Sequence, residues 1–173
     1  MNLTTPTDRE IVLTKEFAAP RQLVFDAHTK PELLKRWFGP HDWRLAVCEI
    51  DLRPGGTWYY LMRSTAGAEM TLRGSYVEIT PPARLVTTES NVDCDARAEH
   101  ESLATLELVE HAGGTTLTNT LRFPTKEIRD AVLASGMDRG VGEGFERLAV
   151  LLAGAPEASP PPRDLKCALR PGE

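Results

Sequence analysis

Carboxylates on predicted strands are the first residues in this sequence whose type and position could support catalysis. They are Glu49, Asp51, Glu69 and Glu107. If one of them faced the protein interior, burial would raise its pKa and let it act as a general base. Strands of a half-solvated sheet usually turn such groups outward, so solvent-facing carboxylates are the alternative interpretation.

The histidines and cysteines show no metal-binding pattern. The four histidines lack the spacing of a zinc motif, and His41, beside Gly39-Pro40, is only an acid–base candidate. The segment 93–101 is dense in possible ligands, but a solvated acidic loop accounts for it. Phosphate-binding and dinucleotide-binding motifs are also missing from the sequence. We therefore expect no metal and no cofactor, and we favour a function other than catalysis.

Composition excludes several classes of function. The chain has 173 residues and a net charge of −5. A negative chain without a basic patch argues against nucleic-acid binding. No apolar run reaches membrane-spanning length, and the polar N-terminus has no signal-peptide core, so we expect no membrane insertion and a cytoplasmic location. Three widely spaced cysteines argue against a disulfide framework.

Large aromatic side chains cluster between Phe25 and Met62. Trp37-Phe38-Gly39-Pro40 is typical of a short helix that ends at Gly-Pro. Later, Arg53-Pro54-Gly55-Gly56 predicts a tight turn between two strands. The second strand alternates, which places Trp58, Tyr60 and Met62 on one face. Large rings beside a sheet that must bend indicate a binding pocket more than catalytic machinery.

The order of predicted elements indicates an α+β fold. A strand over Glu10–Phe17 precedes two short helices, which begin near Pro20 and Thr29; Thr29 and Glu32 have capping-box spacing. Strands are then predicted at 43–52, 57–63, 70–79, 84–90, 102–110 and 115–123. A long helix follows, from near Thr125 to Gly154. These features predict a curved antiparallel sheet of six to seven strands wrapped around a long C-terminal helix.

The domain should span residues 8–153, followed by a proline-rich tail at 154–173. Its proline content predicts an extended or disordered segment, although Leu165 and Leu169 could dock it on the domain. Within the long helix, four glycines are unfavourable for helix formation: Gly136, Gly140, Gly142 and Gly144. Either the helix is frayed, bent or divided, or the glycines allow close approach to the sheet or leave a gap for a ligand.

Two motifs and the element order resemble a known family. The motifs are Ala19-Pro20-Arg21-Gln22-Leu23-Val24-Phe25-Asp26-Ala27 and Pro31-Glu32-Leu33-Leu34-Lys35-Arg36-Trp37-Phe38-Gly39-Pro40. Together they resemble the START-like (SRPBCC) superfamily, and within it the bacterial homologues of the chaperone ATPase activator, the Aha-type domain. Further matches follow in order: 48–58, 74–85 and 137–148. The resemblance covers about residues 8–153.

The resemblance implies a helix-grip (Bet v-like) fold, as in the birch-pollen allergen, and an association with hydrophobic small molecules. Two positions depart from the family pattern. Phe38 replaces a second tryptophan before Gly-Pro, and Val141, not tryptophan, follows Gly140. Both changes shrink an aromatic side chain at the expected cavity wall, which implies a larger or differently shaped ligand.

We therefore expect a soluble binding protein that holds a hydrophobic small molecule between the sheet and the C-terminal helix. The expected lining is Trp37, Phe38, Trp58, Tyr60, Met62, Met70, Leu72, Met137, Val141 and Phe145. For any one of these residues, simple core packing is the competing interpretation. Two other functions stay open: a cyclase- or dehydratase-type enzyme using a cavity carboxylate or histidine, and a chaperone-modulating interaction domain. The partners would be the small molecule, and either a second copy of the chain or a chaperone.

Overall fold

The computed structural model describes residues 1–91 and 101–154. These residues form one antiparallel sheet of eight strands and four helices. The strands are β1 (Asn2–Thr4), β2 (Glu10–Phe17), β3 (Trp43–Ile50), β4 (Thr57–Ser64), β5 (Glu69–Thr80), β6 (Arg84–Asn91), β7 (Ser102–His111) and β8 (Gly114–Arg122). The helices are α1 (Arg21–Thr29), α2 (Pro31–Trp37), α3 (Lys126–Ala134) and α4 (Met137–Ala153).

The sheet runs in the order β1-β2-β8-β7-β6-β5-β4-β3. Strands β3 to β8 form the expected meander, and β2 joins it by pairing along its whole length with β8. Strand β1 was not predicted, and it adds an eighth strand at the outer edge through the pair Leu3↔Leu13. The α+β helix-grip fold is confirmed, with one or two strands more than the sequence suggested.

Two bulges curve the sheet. The register shifts between Leu45 and Val47 in β3 and between Tyr76 and Glu78 in β5. An extra residue on one strand bends it and increases its twist. The concave face produced in this way carries the inward-pointing side chains and faces the helices.

The two short helices lie where they were expected, but one predicted cap is wrong. Helix α2 begins with Pro31 at its first position after Lys30, the residue that occupies the cap. Thr29 instead ends α1, where its hydroxyl donates to the carbonyl of Phe25 at 2.9 Å. Proline fits the first turn of a helix because the amide it lacks would have no partner there.

The predicted single long helix is two helices. Thr125 does cap the first of them, because its hydroxyl accepts a hydrogen bond from the amide of Ile128 at 3.3 Å. The break follows Ser135, at Gly136, which adopts the left-handed conformation with φ of +78°. Glycine tolerates this conformation and commonly ends a helix in it. The gripped helix is therefore α4 alone, and it begins at Met137.

The core lies between the concave face and the helices. Its main cluster joins Phe17, Phe25, Leu34, Leu108 and Leu117 with the buried stripe of α4, which consists of Phe145, Leu148 and Leu152. A second cluster surrounds Ile11, Leu13 and Phe123 beneath α3. In the described part of the chain, every helix is too short or too polar to cross a membrane. The tail at 155–173 lies outside the described residues, so its predicted extended or disordered form stays a prediction.

Candidate functional site

The helices cover the concave face unevenly. Helix α2 lies close to β3, α1 lies close to β7 and β8, and α4 lies close to β2. Within residues 1–91 and 101–154, no helix backbone makes a comparable approach to β4, β5 or β6. Only side chains can fill the space above these three strands, so a ligand site is best sought there.

Large apolar side chains line this part of the sheet. On β4, Trp58, Tyr60 and Met62 alternate toward the interior and are buried. On β5, Met70 and Leu72 stand beside them, because Met62 pairs with Met70 and Tyr60 with Leu72. Both of these β5 side chains keep partial exposure although they pack against the core. The helices therefore do not seal the concave face at this end.

A chain of ring contacts links β4 to the helices. The rings of Trp58 and Tyr60 are 4.7 Å apart, and those of Tyr60 and Phe38 are 5.2 Å apart. Phe38 contacts Trp37 at 5.6 Å, and Trp37 contacts Phe145 of α4 at 6.2 Å. Such edge-to-face and tilted pairs stabilise beyond their buried area. Five of the predicted lining residues thus form one continuous aromatic wall.

The remaining predicted lining residues divide between two places. Met62, Met70, Leu72 and Val141 pack on the main cluster with the aromatic wall. Met137 lies instead against the second cluster, and Val141 touches both clusters. Val141 and Met137 therefore stand at the end of α4 nearest to β2, away from the open strands. Of the ten predicted lining residues, nine lie in the main cluster or against it, and Met137 lies apart from it.

Polar groups are embedded in the apolar wall. The hydroxyl groups of Tyr60 and Tyr76 share a hydrogen bond, and burial raises the pKa of both phenols. Cys48, which pairs with Tyr60 across β3 and β4, has its thiol pKa raised to about 11, again by burial. The charge of Glu89 also contributes to the raised pKa of Tyr60, which places this carboxyl group near the tyrosine pair.

Glu89 is the interior carboxylate that the sequence analysis missed. It follows Leu85 and Thr87 at two-residue spacing on β6, so it shares the inward face of core residue Leu85. Burial raises its pKa. The alternation of β6 could have revealed this residue, because Glu89 falls on the same face of the strand as Leu85. The four carboxylates singled out in the sequence, Glu49, Asp51, Glu69 and Glu107, are all exposed.

Within residues 1–91 and 101–154, the indole nitrogen of Trp58 has no hydrogen-bond partner. Trp58 is only 5% exposed, and its Nε1 is fully buried among the described residues. In contrast, Nε1 of Trp37 donates to the carbonyl of Ala27 at 2.9 Å. Native structures satisfy nearly all buried donors, so an orphaned one calls for an explanation.

Two of the α4 glycines face the turn that follows α2. A Cβ on Gly140 would lie 3.1 Å from Cγ of Pro40, and one on Gly144 would lie 3.4 Å from the carbonyl oxygen of Gly39. Arg147, one turn further along α4, donates from its guanidinium to the carbonyls of Arg36, Gly39, Pro40 and Trp43 at 3.0 to 3.4 Å. Close approach explains both glycines, and the neighbour is this turn and not the sheet.

His41 lies outside the concave face. It borders an open surface groove of about 400 Å³ together with Arg36, Glu146, Arg147 and two apolar residues of α4. Its Nε2 is 3.9 Å from the carboxylate of Glu146, and its side chain is 56% exposed. Solvation on this scale makes it a poor acid–base group for chemistry inside the fold. His28 does contact the aromatic wall, because its ring lies 4.9 Å from that of Trp37.

Metal ligation has little support in the parts of the chain that the structure describes. No three histidine, cysteine, aspartate or glutamate side chains converge there. Most of the acidic segment singled out in the sequence, residues 93–100, lies outside the described residues; only Glu101 falls within them.

Comparison with known proteins identifies the family. The family model described as "Activator of Hsp90 ATPase homolog 1-like protein" matches residues 18–153. A solved structure from Rhodobacter sphaeroides is 28% identical with a TM-score of 0.82, covering 90% of this chain and 100% of that one. One from Nitrosomonas europaea is 29% identical with a TM-score of 0.76, covering 86% and 97%.

A protein with lower sequence identity has the same fold. An AHSA1 protein from Silicibacter pomeroyi is 22% identical with a TM-score of 0.69, covering 83% of this chain and 97% of its own. No curated protein matches the chain. Because the family model spans most of the sequence and the helix-grip fold agrees with it, the chain belongs to the Activator of Hsp90 ATPase homolog 1-like family.

Proposed function

We propose that the protein binds a largely hydrophobic small molecule on the concave face above β4, β5 and β6. The observation that carries this proposal is the uneven cover of the sheet. Met70 and Leu72 keep exposed apolar surface beside the buried Trp58, Tyr60 and Met62, where no helix backbone makes an approach comparable to those on β2, β3, β7 and β8. Ligand sites are mostly apolar and carry a few polar groups, and the aromatic wall with Tyr60, Tyr76 and Glu89 beside it supports the proposal in that respect.

The incomplete burial of three inward-facing side chains supports the same location. Phe38, Met70 and Leu72 pack against the core, yet each is only partly buried. A molecule placed over them would remove further apolar surface from water, at about 25 cal/mol for each Å². The ligand would thus complete the core on the side that the helices leave uncovered.

A second function, catalysis in the cyclase or dehydratase manner, is favoured by one specific observation. Glu89 faces the interior near Tyr60, and burial raises its pKa. A carboxyl group of that kind can act as a general acid or base on a bound molecule. Binding remains the first proposal because it needs only the apolar wall, whereas catalysis also needs a substrate placed against Glu89.

Chaperone modulation remains the third function, and it rests on the family alone. The description of the family refers to an activator of a chaperone ATPase. Such a role would use the outer surface, where the exposed apolar residues Val77, Val109 and Val150 are scattered over β5, β7 and α4. Scattered apolar residues are normal on soluble proteins and do not define a docking surface.

Native mass spectrometry of freshly purified protein tests the binding proposal. We expect a mass above that of the chain alone, which organic solvent returns to the mass of the chain. After removal of that molecule, the apolar dye N-phenyl-1-naphthylamine should bind in a one-to-one complex. If no molecule co-purifies and no one-to-one dye complex forms, the binding proposal is overturned and the interaction domain is favoured.

A further inference from the structure

The buried indole of Trp58 points to the chemistry of the ligand. Its Nε1 is a donor only, and it finds no acceptor among the described residues. Leaving a buried donor unsatisfied is unfavourable. A ligand oxygen that reaches Nε1 once the covering side chains move aside would remove that cost, so the unpaired donor favours a ligand with an acceptor over a plain hydrocarbon.

The strand register shows which group lies beside this donor. The indole crosses over Gly74, because a Cβ on Gly74 would lie 2.8 Å from Cε2 of Trp58, the atom bonded to Nε1. Arg73 pairs with Ser90 and Tyr76 with Thr87. This register sets Gly74 beside Glu89. The nitrogen edge of the indole therefore lies over β5, on the same face as the inward-facing carboxyl of Glu89 on the neighbouring strand β6.

We propose that Trp58 and Glu89 form a polar anchor, and that it selects an apolar molecule bearing a neutral oxygen, as in a ketone, ester or alcohol. This inference rests on the proposed function, because it assigns the polar part of a ligand whose apolar part covers Met70 and Leu72. The neutral oxygen accepts a hydrogen bond from Nε1 of Trp58. The carboxyl of Glu89 then meets the same oxygen when protonated, or a ligand hydroxyl when ionised.

The anchor also excludes one common class of apolar ligand. A fatty carboxylate would bring a second acid next to Glu89. Two carboxyl groups at close range cannot both stay ionised, so one member of the pair would have to take up a proton for such a ligand to bind. Glu89 therefore disfavours anions while Trp58 favours neutral acceptors, and the pair sets specificity without adding apolar area.

Three ten-carbon probes at pH 8 separate these effects: 2-decanone, 1-decene and decanoate. Displacement of N-phenyl-1-naphthylamine measures the affinity of each probe. We expect 2-decanone to bind the wild-type protein at least fivefold more tightly than the other two.

Trp58→Phe should reduce the preference for 2-decanone over 1-decene about three- to tenfold, because one hydrogen bond is lost. Trp43→Phe is the matched control and should keep the preference. Glu89→Gln should strengthen the binding of decanoate relative to 2-decanone.

The indole resonances supply a second readout, which is taken on the wild-type protein. Three tryptophans give three indole N–H signals, assigned by the single substitutions. We expect 2-decanone to shift the proton signal of Trp58 downfield and to leave that of Trp37, which already donates to Ala27, unchanged. Equal affinity for all three probes with an unmoved Trp58 signal would overturn the anchor and leave the binding proposal standing. Failure of every probe and of the dye would overturn both.

Discussion

The backbone of Gly144 in α4 lies directly against Gly39, the residue that ends the Trp37-Phe38-Gly39 segment. A Cβ on Gly144 would stand 3.4 Å from the carbonyl oxygen of Gly39 and 3.5 Å from its nitrogen. Helix α4 therefore packs on the turn after α2 with almost no side chain between them. This contact, together with Arg147, fixes the position of Trp37 and Phe38 at the edge of the candidate site.

Gly142 and Gly144 should respond differently to added side chains. A Cβ on Gly142 meets only the flexible end of Met1, at 3.8 Å. Gly142→Ala should therefore raise the free energy of unfolding by about 0.5 to 1 kcal/mol through helix propensity. Gly144→Val should lower it by about 1 to 3 kcal/mol, because the added methyl groups meet the turn backbone. Gly142→Val is the matched control, and urea unfolding is the measurement. Equal stability of the two valine variants would contradict the close packing.

Arg147→Lys should destabilise the turn between α2 and β3. The guanidinium donates to four backbone carbonyls at once, and an ammonium group cannot reproduce that geometry. We expect a loss of about 1 to 3 kcal/mol in the free energy of unfolding. Arg139→Lys, at a side chain that is 83% exposed, should change it by less than about 0.5 kcal/mol. Similar values for the two variants would show that the carbonyl contacts contribute little.

His28 should make stability depend on pH in mild acid. Its Nδ1 donates to the carbonyl of Val24 at 2.8 Å, and burial lowers its pKa to about 4. The unfolded chain, with a pKa near its ordinary value of 6.5, binds the proton more readily. The stabilisation is therefore fully present above pH 6.5 and is lost as the pH falls toward 4, by about 2 to 3 kcal/mol.

Urea unfolding between pH 4 and 7 tests this assignment. His28→Phe keeps a ring against Trp37 but cannot take up a proton, so its stability should vary less with pH than that of the wild type. His111→Phe, at an exposed histidine paired with Glu16, should follow the wild-type curve more closely. If the His28→Phe curve ran parallel to the wild-type curve, another group would have to carry the pH dependence.

The fold was predictable because its signals are local and periodic. Alternation in β4 and the Pro54-Gly55-Gly56 turn defined neighbouring strands, and the six meander strands followed in sequence order. Strand β1 was missed because three residues carry no period. The division of the last helix was only one of the alternatives, because Gly136 acts through a left-handed backbone conformation that sequence spacing does not reveal.

The candidate site was less predictable, because it depends on which face of the sheet the helices leave uncovered. The alternation of β4 was enough to identify Trp58, Tyr60 and Met62 as residues that share one face of the sheet. The position of Met137 against the second cluster depends on how α4 lies over the sheet, which no local pattern encodes. The proximity of Glu89 to Trp58 depends on the register of β4, β5 and β6 together.

Cys48 should be unreactive in the folded protein. Burial raises its thiol pKa from 9.0 to about 11, so at pH 8 its thiolate fraction is about one hundredth of that of an ordinary thiol. In a background with Cys94→Ser and Cys167→Ser, Ellman's reagent should react with native Cys48 at least a hundredfold more slowly than with the chain in guanidinium chloride. A native rate within tenfold of the unfolded rate would show that Cys48 is not held in the core.

Dye binding to a pair of tryptophan variants on β5 tests directly whether the ligand site lies above β4, β5 and β6. Leu72 faces the interior and is partly buried, whereas Arg73, the next residue, faces outward and is exposed. Leu72→Trp should fill the space above β5 and weaken binding of N-phenyl-1-naphthylamine at least tenfold, while cooperative urea unfolding persists. Met70→Phe adds less volume at the neighbouring inward position, and it should weaken binding to a smaller degree.

Arg73→Trp is the matched control, and it should leave dye affinity within twofold of the wild type. We expect this contrast between two adjacent positions on one strand, because only one of them faces the uncovered concave surface. If the wild type binds the dye and both tryptophan variants bind it equally well, the ligand site does not lie above β4, β5 and β6, and the binding proposal is wrong about its location.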